Sequence, residues 1–155
     1  MRRIIRLIAA CCLIATAVVA SDSSTPPVFQ MRRVVDAPSS ESEQMTLLSG
    51  GRKEVLNVEK TVLFDETVLR SAKFGAGKGY PVISITFSDD GRKRFAEWTR
   101  QNIGNRLAII IAGQAYSAPR VMAEIPGGKT EISGGFSEQE AKDLVAKIEK
   151  AMKKR

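Results

Sequence analysis

The chain has 155 residues, with 24 Lys and Arg against 17 Asp and Glu for a net charge of +7, no histidine, and two cysteines side by side at Cys11 and Cys12. Without histidine there is no imidazole base and no Cys/His metal centre. With both thiols in the first dozen residues, the remainder offers neither a thiol nucleophile nor a disulfide.

The opening residues order themselves as a basic cluster (Arg2, Arg3, Arg6), an apolar run from Leu7 to Val19, and small residues ending at Ala20 before the polar Ser21-Asp22-Ser23-Ser24. That order predicts a secretory signal peptide over 1–20. The apolar run has 13 residues, whereas a helix crossing a bilayer takes roughly 20. Two alternatives remain open: an uncleaved membrane anchor, and lipid attachment at Cys11 after Ile8-Ala9-Ala10. The chain is therefore expected to be exported to the periplasm or beyond the cell. Cleavage takes both cysteines and three arginines with it, leaving 21 basic against 17 acidic residues, or +4. The excess gathers in the tail Lys147 to Arg155, where cations suit the end of a helix. No nucleic-acid partner is expected from it.

Residues 21–27 are polar and proline-bearing, a flexible leader, and 28–155 are long enough for one core and one domain. Val28 to Val35 has strand composition, and Asp36 to Gln44, rich in Ser, Glu and Pro, predicts an exposed loop. Glu54–Val58 and Thr61–Phe64 predict short strands, and Asp65 is placed to cap a short helix running to Ala72. In Val82 to Phe87, Ile83, Ile85 and Phe87 alternate with Ser84 and Thr86, the period of a half-buried strand. Ser88-Asp89-Asp90-Gly91 ends it and begins a helix with Phe95, Trp98 and Thr99 on one face, which stops at Gly104. Leu107 to Ile111 predicts a buried strand, reversed at Gly113-Gln114 into an antiparallel partner, Ala115 to Pro119.

The last helix is announced by Ser137 and Glu140, the two ends of a capping box. Behind them Ala141, Leu144, Val145, Ile148 and Met152 form one apolar stripe. The expected fold is α+β: a small, mostly antiparallel sheet with helices packed on one face.

Candidate chemistry is sparse. Gly75-Ala76-Gly77-Lys78-Gly79 lacks the spacing of a phosphate loop and precedes a strand, so it reads as a turn. Asp89 and Asp90 are explained by the start of a helix. Ser117 without a neighbouring base is a poor nucleophile, and Trp98 falls at a core spacing. No catalytic residue, metal site or cofactor is expected. Gly91, Gly104, Gly113, Gly128 and Gly134 are expected as structural turn glycines, with positive φ at two of Gly104, Gly113 and Gly134. Tyr116, Ser117 and Pro119, at a strand end, are the candidate partner contacts.

From Pro81 onward the order of features resembles a known family. Pro81-Val82-Ile83-Ser84-Ile85-Thr86-Phe87, Gly91 with Phe95, Thr99-Arg100-Gln101-Asn102-Ile103-Gly104, Arg106-Leu107-Ala108-Ile109, Gly113, Ser117-Ala118-Pro119, Gly128, Ile132-Ser133-Gly134 and Phe136-Ser137 through Glu140-Ala141 are similar in order and spacing to the head of the first periplasmic domain of SecD/SecDF protein-export subunits. The resemblance is fullest over 80–145. It implies a SecDF P1-head-like fold and an extracytoplasmic surface that contacts exported polypeptide or an envelope protein. In the full-length proteins, proton flow through transmembrane helices drives export. No counterpart of those helices or of their carboxylate motifs is found here, and Ala112 replaces an aspartate common in the family, so the motor is not carried over. A stand-alone, non-catalytic binding module is the expectation, with a structural or adaptor protein of the envelope as the alternative. Polypeptide or another envelope protein is the expected partner, without a stable membrane anchor once the signal is cleaved.

Overall fold

A computed structural model of the chain describes residues 26–49, 52–77 and 79–154. The signal segment, its cleavage position, Cys11 and the first part of the leader lie outside the described residues. In chain order the elements are β1 (Phe29–Val35), β2 (Ser42–Ser49), β3 (Arg52–Glu59), β4 (Phe64–Asp65), a single 3-10 turn (Glu66–Val68), β5 (Leu69–Ala76), β6 (Pro81–Phe87), α1 (Asp89–Gln101), β7 (Arg106–Ile111), β8 (Gln114–Ser117), β9 (Lys129–Ser133) and α2 (Glu138–Met152). No helix among the described residues is long and apolar enough to cross a membrane.

The architecture follows from β7, which is apolar on both faces. Side chains alternate across a strand, so Leu107, Ile109 and Ile111 point to one core and Ala108 and Ile110 to another, all of them buried. Both faces must be covered. The Ala108/Ile110 face is covered by the sheet curling onto itself: β7 pairs with β1 and β8, β8 meets β2 in a parallel contact at Leu47 and Ala115, β2 and β3 form a hairpin, and β3 returns to β1 at Val34 and Val58. The result is a closed five-stranded ring filled by Leu47, Leu56, Val58, Ala108, Ile110 and Ala115. The Gln114 side-chain amide donates to the Thr46 carbonyl at 2.8 Å and seals the parallel seam. A simple open sheet with helices on one face is therefore corrected: one sheet closes into a barrel-like ring and includes a parallel contact.

The other face of β7 meets a second layer, the antiparallel sheet β5-β6-β9 with α1 and α2. Ala72, Ile83, Ile85, Phe87 and Ile132 from the sheet, Phe95 from α1, and Ala141, Leu144 and Ile148 from α2 join Phe29, Met31 and Ile109 in the larger core. Phe87 stacks on Phe95 with centroids 4.6 Å apart, and Phe64 meets Phe95 edge-on at 5.5 Å. Trp98 lies half-buried against this cluster, edge-on to Phe64 at 6.3 Å.

The strand expected over 61–64 is reduced to β4, which begins at Phe64, and two further stretches fold otherwise than their local composition predicts. Residues 42–44 belong to β2, not to a loop. The segment after Asp65 makes only one 3-10 turn, with the Asp65 carboxylate accepting the Thr67 N–H at 2.8 Å, before continuing as β5 paired to β6. In both cases cross-strand pairing overrides local propensity, as tertiary context commonly does.

α1 is capped by Ser88, whose Oγ accepts the Gly91 N–H at 3.1 Å, with Asp89 and Asp90 in the first turn. Gly91 is thus a helical residue and not a turn glycine. Its hydrogen side faces the Val68 carbonyl so closely that an added Cβ would strike backbone, and Val68 Cβ would be 3.0 Å away. Gly104, by contrast, has φ of 92° between α1 and β7, with its N–H donating to the Val121 carbonyl at 2.8 Å. The capping box of α2 is fully formed, with Ser137 and Glu140 each accepting from the other's backbone.

Two substitutions test the close approach at Gly91 and the positive φ at Gly104 by urea denaturation. Gly91→Ala overpacks the α1 start against Val68 and is expected to destabilise by about 1–3 kcal/mol. Gly104→Val puts a β-branched residue at positive φ and is expected to cost about 1–3 kcal/mol; a midpoint equal to the parent's at either position would refute the corresponding contact.

Candidate functional site

Where the two layers part, near the Leu107 end of β7, they leave an apolar groove of about 360 Å³, at the small end of the roughly 300–1,000 Å³ typical of ligand pockets. Its floor is Met31, Leu107 and Ile109, the core-facing side of β1 and β7. One wall is α1 through Phe95 and Thr99. The others are the segment Pro119–Ile125, here called the strap, and β9 through Thr130 and Glu131. On the strap Met122 is 77% exposed, and beside it Ile103 is 58% exposed. They flank the Gly104–Val121 hydrogen bond, so the apolar surface extends from the groove onto its rim.

β9 brings a second feature to the same place. Among the described residues it pairs only with β6, so its other side is a free edge. The register decides which groups that edge offers. The Phe87 N–H donates to the Gly128 carbonyl at 2.9 Å, and the pairing continues through Thr86↔Lys129 to Val82↔Ser133. In an antiparallel ladder, hydrogen-bonded and non-hydrogen-bonded pairs alternate. Thr130 and Ile132 therefore bond inward to β6, while the backbone N–H and C=O of Lys129, Glu131 and Ser133 point outward. The same parity holds on the far side of β6, where the Gly77 N–H donates to the Tyr80 carbonyl at 2.8 Å.

A second, polar cleft of about 270 Å³ lies between Arg33, Asp36, Gly104, Asn105, Arg106 and Arg120. Its charges are largely balanced within the fold. Arg106 holds Glu54 at 2.5 Å, and Arg33 pairs with Glu59. The guanidinium hydrogen bonds keep the Glu54 carboxyl below its ordinary range, and the paired arginines are held even more firmly protonated. No group of acidic, His or Cys side chains among the described residues is arranged to hold a metal ion.

Of the three candidate contact residues, only Pro119 lines the groove. Tyr116 turns to the larger core and packs on Phe136 with centroids 5.8 Å apart; burial, with Glu140 nearby, raises its phenol pKa. Ser117 lies in β8 opposite Ile109 at an irregular register. Gly113 and Gly128 have φ of 83° and 62°. Gly134 has no positive φ; an added Cβ there would meet the Phe136 ring at 2.8 Å and the Tyr116 carbonyl at 3.0 Å, so it is a close approach instead of a turn. The sequence reading missed the edge of β9 and the role of Thr99. The one signal for the first was the alternation in Lys129-Thr130-Glu131-Ile132-Ser133.

Residues 41–151 match the family model of the SecDF P1 head subdomain. The chain belongs to this family. Among relatives of the head, the SecD translocase subunit of Acidaminococcus fermentans is 30% identical over 115 residues, covering 72% of this chain and 28% of that protein. The SecDF translocase subunit of Thermus thermophilus is 47% identical over 66 residues, covering 43% of this chain and 9% of that protein. A SecDF crystal structure in a super-membrane-facing form superposes with a TM-score of 0.65 at 27% identity, covering 79% of this chain and 18% of that one. A second, of a membrane component SecDF that enhances protein export, gives a TM-score of 0.61 at 27% identity over 79% of this chain and 61% of that one. The chain thus spans less than a third of the length of the translocase subunits it matches, and what it shares with them is the P1 head.

The ion pair on the ring of this head has a pH signature. Glu54 has a folded pKa below its unfolded value, so its contribution is complete above the unfolded value of about 4.3. It is lost as pH falls through the folded pKa. Because Glu54 is half exposed, the contribution is about 1 kcal/mol or less. Glu54→Gln is expected to lower the thermal midpoint slightly at pH 7 and to match the parent near pH 2, measured by circular dichroism; a difference independent of pH would refute the assignment.

Proposed function

We propose that this P1 head is a non-catalytic, extracytoplasmic module that engages exported polypeptide in extended form. The segment adds as a strand to the free edge of β9 and seats apolar side chains in the adjoining groove. The observation that carries this reading is the coincidence of the two features: outward-pointing backbone groups at Lys129, Glu131 and Ser133 lie beside an apolar groove that β9 itself helps to wall. Strand addition takes its affinity from main-chain hydrogen bonds and its selectivity from pockets for alternate side chains. The relatives are translocase subunits, and one is described as enhancing protein export. The absence of histidine, and of cysteine beyond Cys12, agrees with binding in place of catalysis.

The register supplies a clean test. The Glu131 N–H faces outward, so Glu131→Pro removes no bond to β6, and proline is tolerated on edge strands. With a photo-crosslinking residue in place of Met122 in the full chain, secretory precursors are the expected adducts in envelope extracts. Glu131→Pro is expected to reduce them at least fivefold with an unchanged circular dichroism spectrum. A single folded envelope protein as the adduct, insensitive to Glu131→Pro, would favour the adaptor role and overturn strand addition.

A further inference from the structure

Thr99 is the anomaly in α1. It lies on the buried face, four residues after Phe95, and is 0% exposed, one of three buried polar or charged side chains among the described residues. A buried hydroxyl costs stability unless it is hydrogen-bonded. Its own hydrogen is used within the helix, donating to the carbonyls of Phe95 (2.9 Å) and Ala96 (3.0 Å). Its oxygen then accepts the Ile125 N–H at 3.0 Å, a bond to a residue 26 positions away in the strap.

The rest of the strap is weakly held. Its start is fixed, with the Val121 N–H donating to the Asn105 carbonyl and the Val121 carbonyl accepting from Gly104, both at 2.8 Å. Its end is fixed where Gly128 accepts from Phe87. Between those points the described hydrogen bonds are two, both with α1 side chains: the Ile125 N–H donates to Thr99 Oγ1, and Arg92 donates to the Pro126 carbonyl at a long 3.4 Å. Met122, Ala123 and Glu124 are exposed, and Gly127 and Gly128 follow, Gly128 buried at φ of 62°. Between Val121 and Pro126, Ile125 is the residue that packs against the core, and with Met122 and Ala123 it lines the groove.

We propose that the strap is the movable wall of the groove and that Thr99 is the positioning residue that latches it. With the latch formed, Ile125 covers part of the floor made by Met31, Leu107 and Ile109. With it broken, the strap swings between its fixed ends at Val121 and Gly128 and widens the groove. The inference rests on the groove reading proposed above, and hydrogen exchange separates the two because it reports the latch without any ligand.

The test uses the full chain. Thr99→Val keeps the shape and removes the acceptor, whereas Thr99→Ser keeps the oxygen. In Thr99→Val, amide exchange at Ile125, the amide that the latch protects, is expected to accelerate at least tenfold while β7 and the middle of α1 keep parental rates. Thr99→Ser restores parental exchange. Titration with the apolar dye 1-anilinonaphthalene-8-sulfonate is expected to show several-fold tighter binding to Thr99→Val. Parental exchange at Ile125 in Thr99→Val, or equal acceleration across α1 and β7, overturns the latch. Accelerated strap exchange with unchanged dye binding upholds the latch and overturns the groove as the binding site. Should Thr99→Val not fold, Ile125→Pro removes the donor from the strap side. Dye titration then decides: several-fold tighter binding than the parent upholds the latch, and parental binding overturns it.

Discussion

The fold depends on one strand being buried on both faces. β7 carries Leu107, Ile109 and Ile111 on one side and Ala108 and Ile110 on the other, and neither set can be left to water. Burying an aliphatic side chain of this size is worth about 1.5–3 kcal/mol, so the double demand outweighs any single turn or cap in deciding topology. The ring answers one face. Its bore is narrow, which is why Ala108 and Ala115 are among the side chains that fill it with Ile110, Leu56 and Val58. The second sheet and the helices answer the other face, but they do not meet over its Leu107 end. The groove is the part of that demand left unmet by regular structure, closed only by the strap.

The elements that read clearly in the sequence are those whose local pattern and tertiary fate agree. β6 alternates and is half-buried, β7 is a continuous apolar run and is buried on both sides, and α2 has cap, stripe and solvated face in one reading frame. β2 and β5 were hidden for the opposite reason. Ser42-Glu43-Gln44 is polar because it lies on the outer part of a hairpin, and Glu66 to Ala72 has helical composition although β6 needs a partner there. Ring closure was out of reach, because its decisive contact joins Leu47 and Ala115 in parallel across a long stretch of chain. No local pattern encodes such a contact. Pro119, singled out for its strand-end position, lines the groove, whereas the edge of β9 became visible only once β6 was known to pair with it on one side.

Charge plays a supporting part. Arg32 with Glu43, Arg33 with Glu59 and Arg106 with Glu54 each join different strands of the ring, tying β1 to β2, β1 to β3 and β7 to β3. Such partly exposed pairs contribute little individually; Arg33 with Glu59 joins neighbouring strands, and the other two pairs link strands one apart in the ring. They also neutralise three arginines of the ring, which unpaired could have made an anion-binding surface. What the head presents beside its ring is consequently apolar surface and unpaired backbone.

Those two kinds of surface impose a particular selectivity under the proposed function. Backbone hydrogen bonds along β9 are indifferent to side-chain identity, and the groove asks only that some side chains be apolar. A folded partner whose strands are already paired cannot satisfy the edge, however apolar its surface. An extended chain can, at almost any register. Recognition of this form discriminates the folding state of its target and tolerates its sequence, which is the requirement on any surface that must meet many different polypeptides in transit. The strap adds a threshold to it. An apolar segment must supply enough contact with Met31, Leu107 and Ile109 to replace what Ile125 contributes when latched by Thr99, so brief encounters with short or polar segments leave the groove closed.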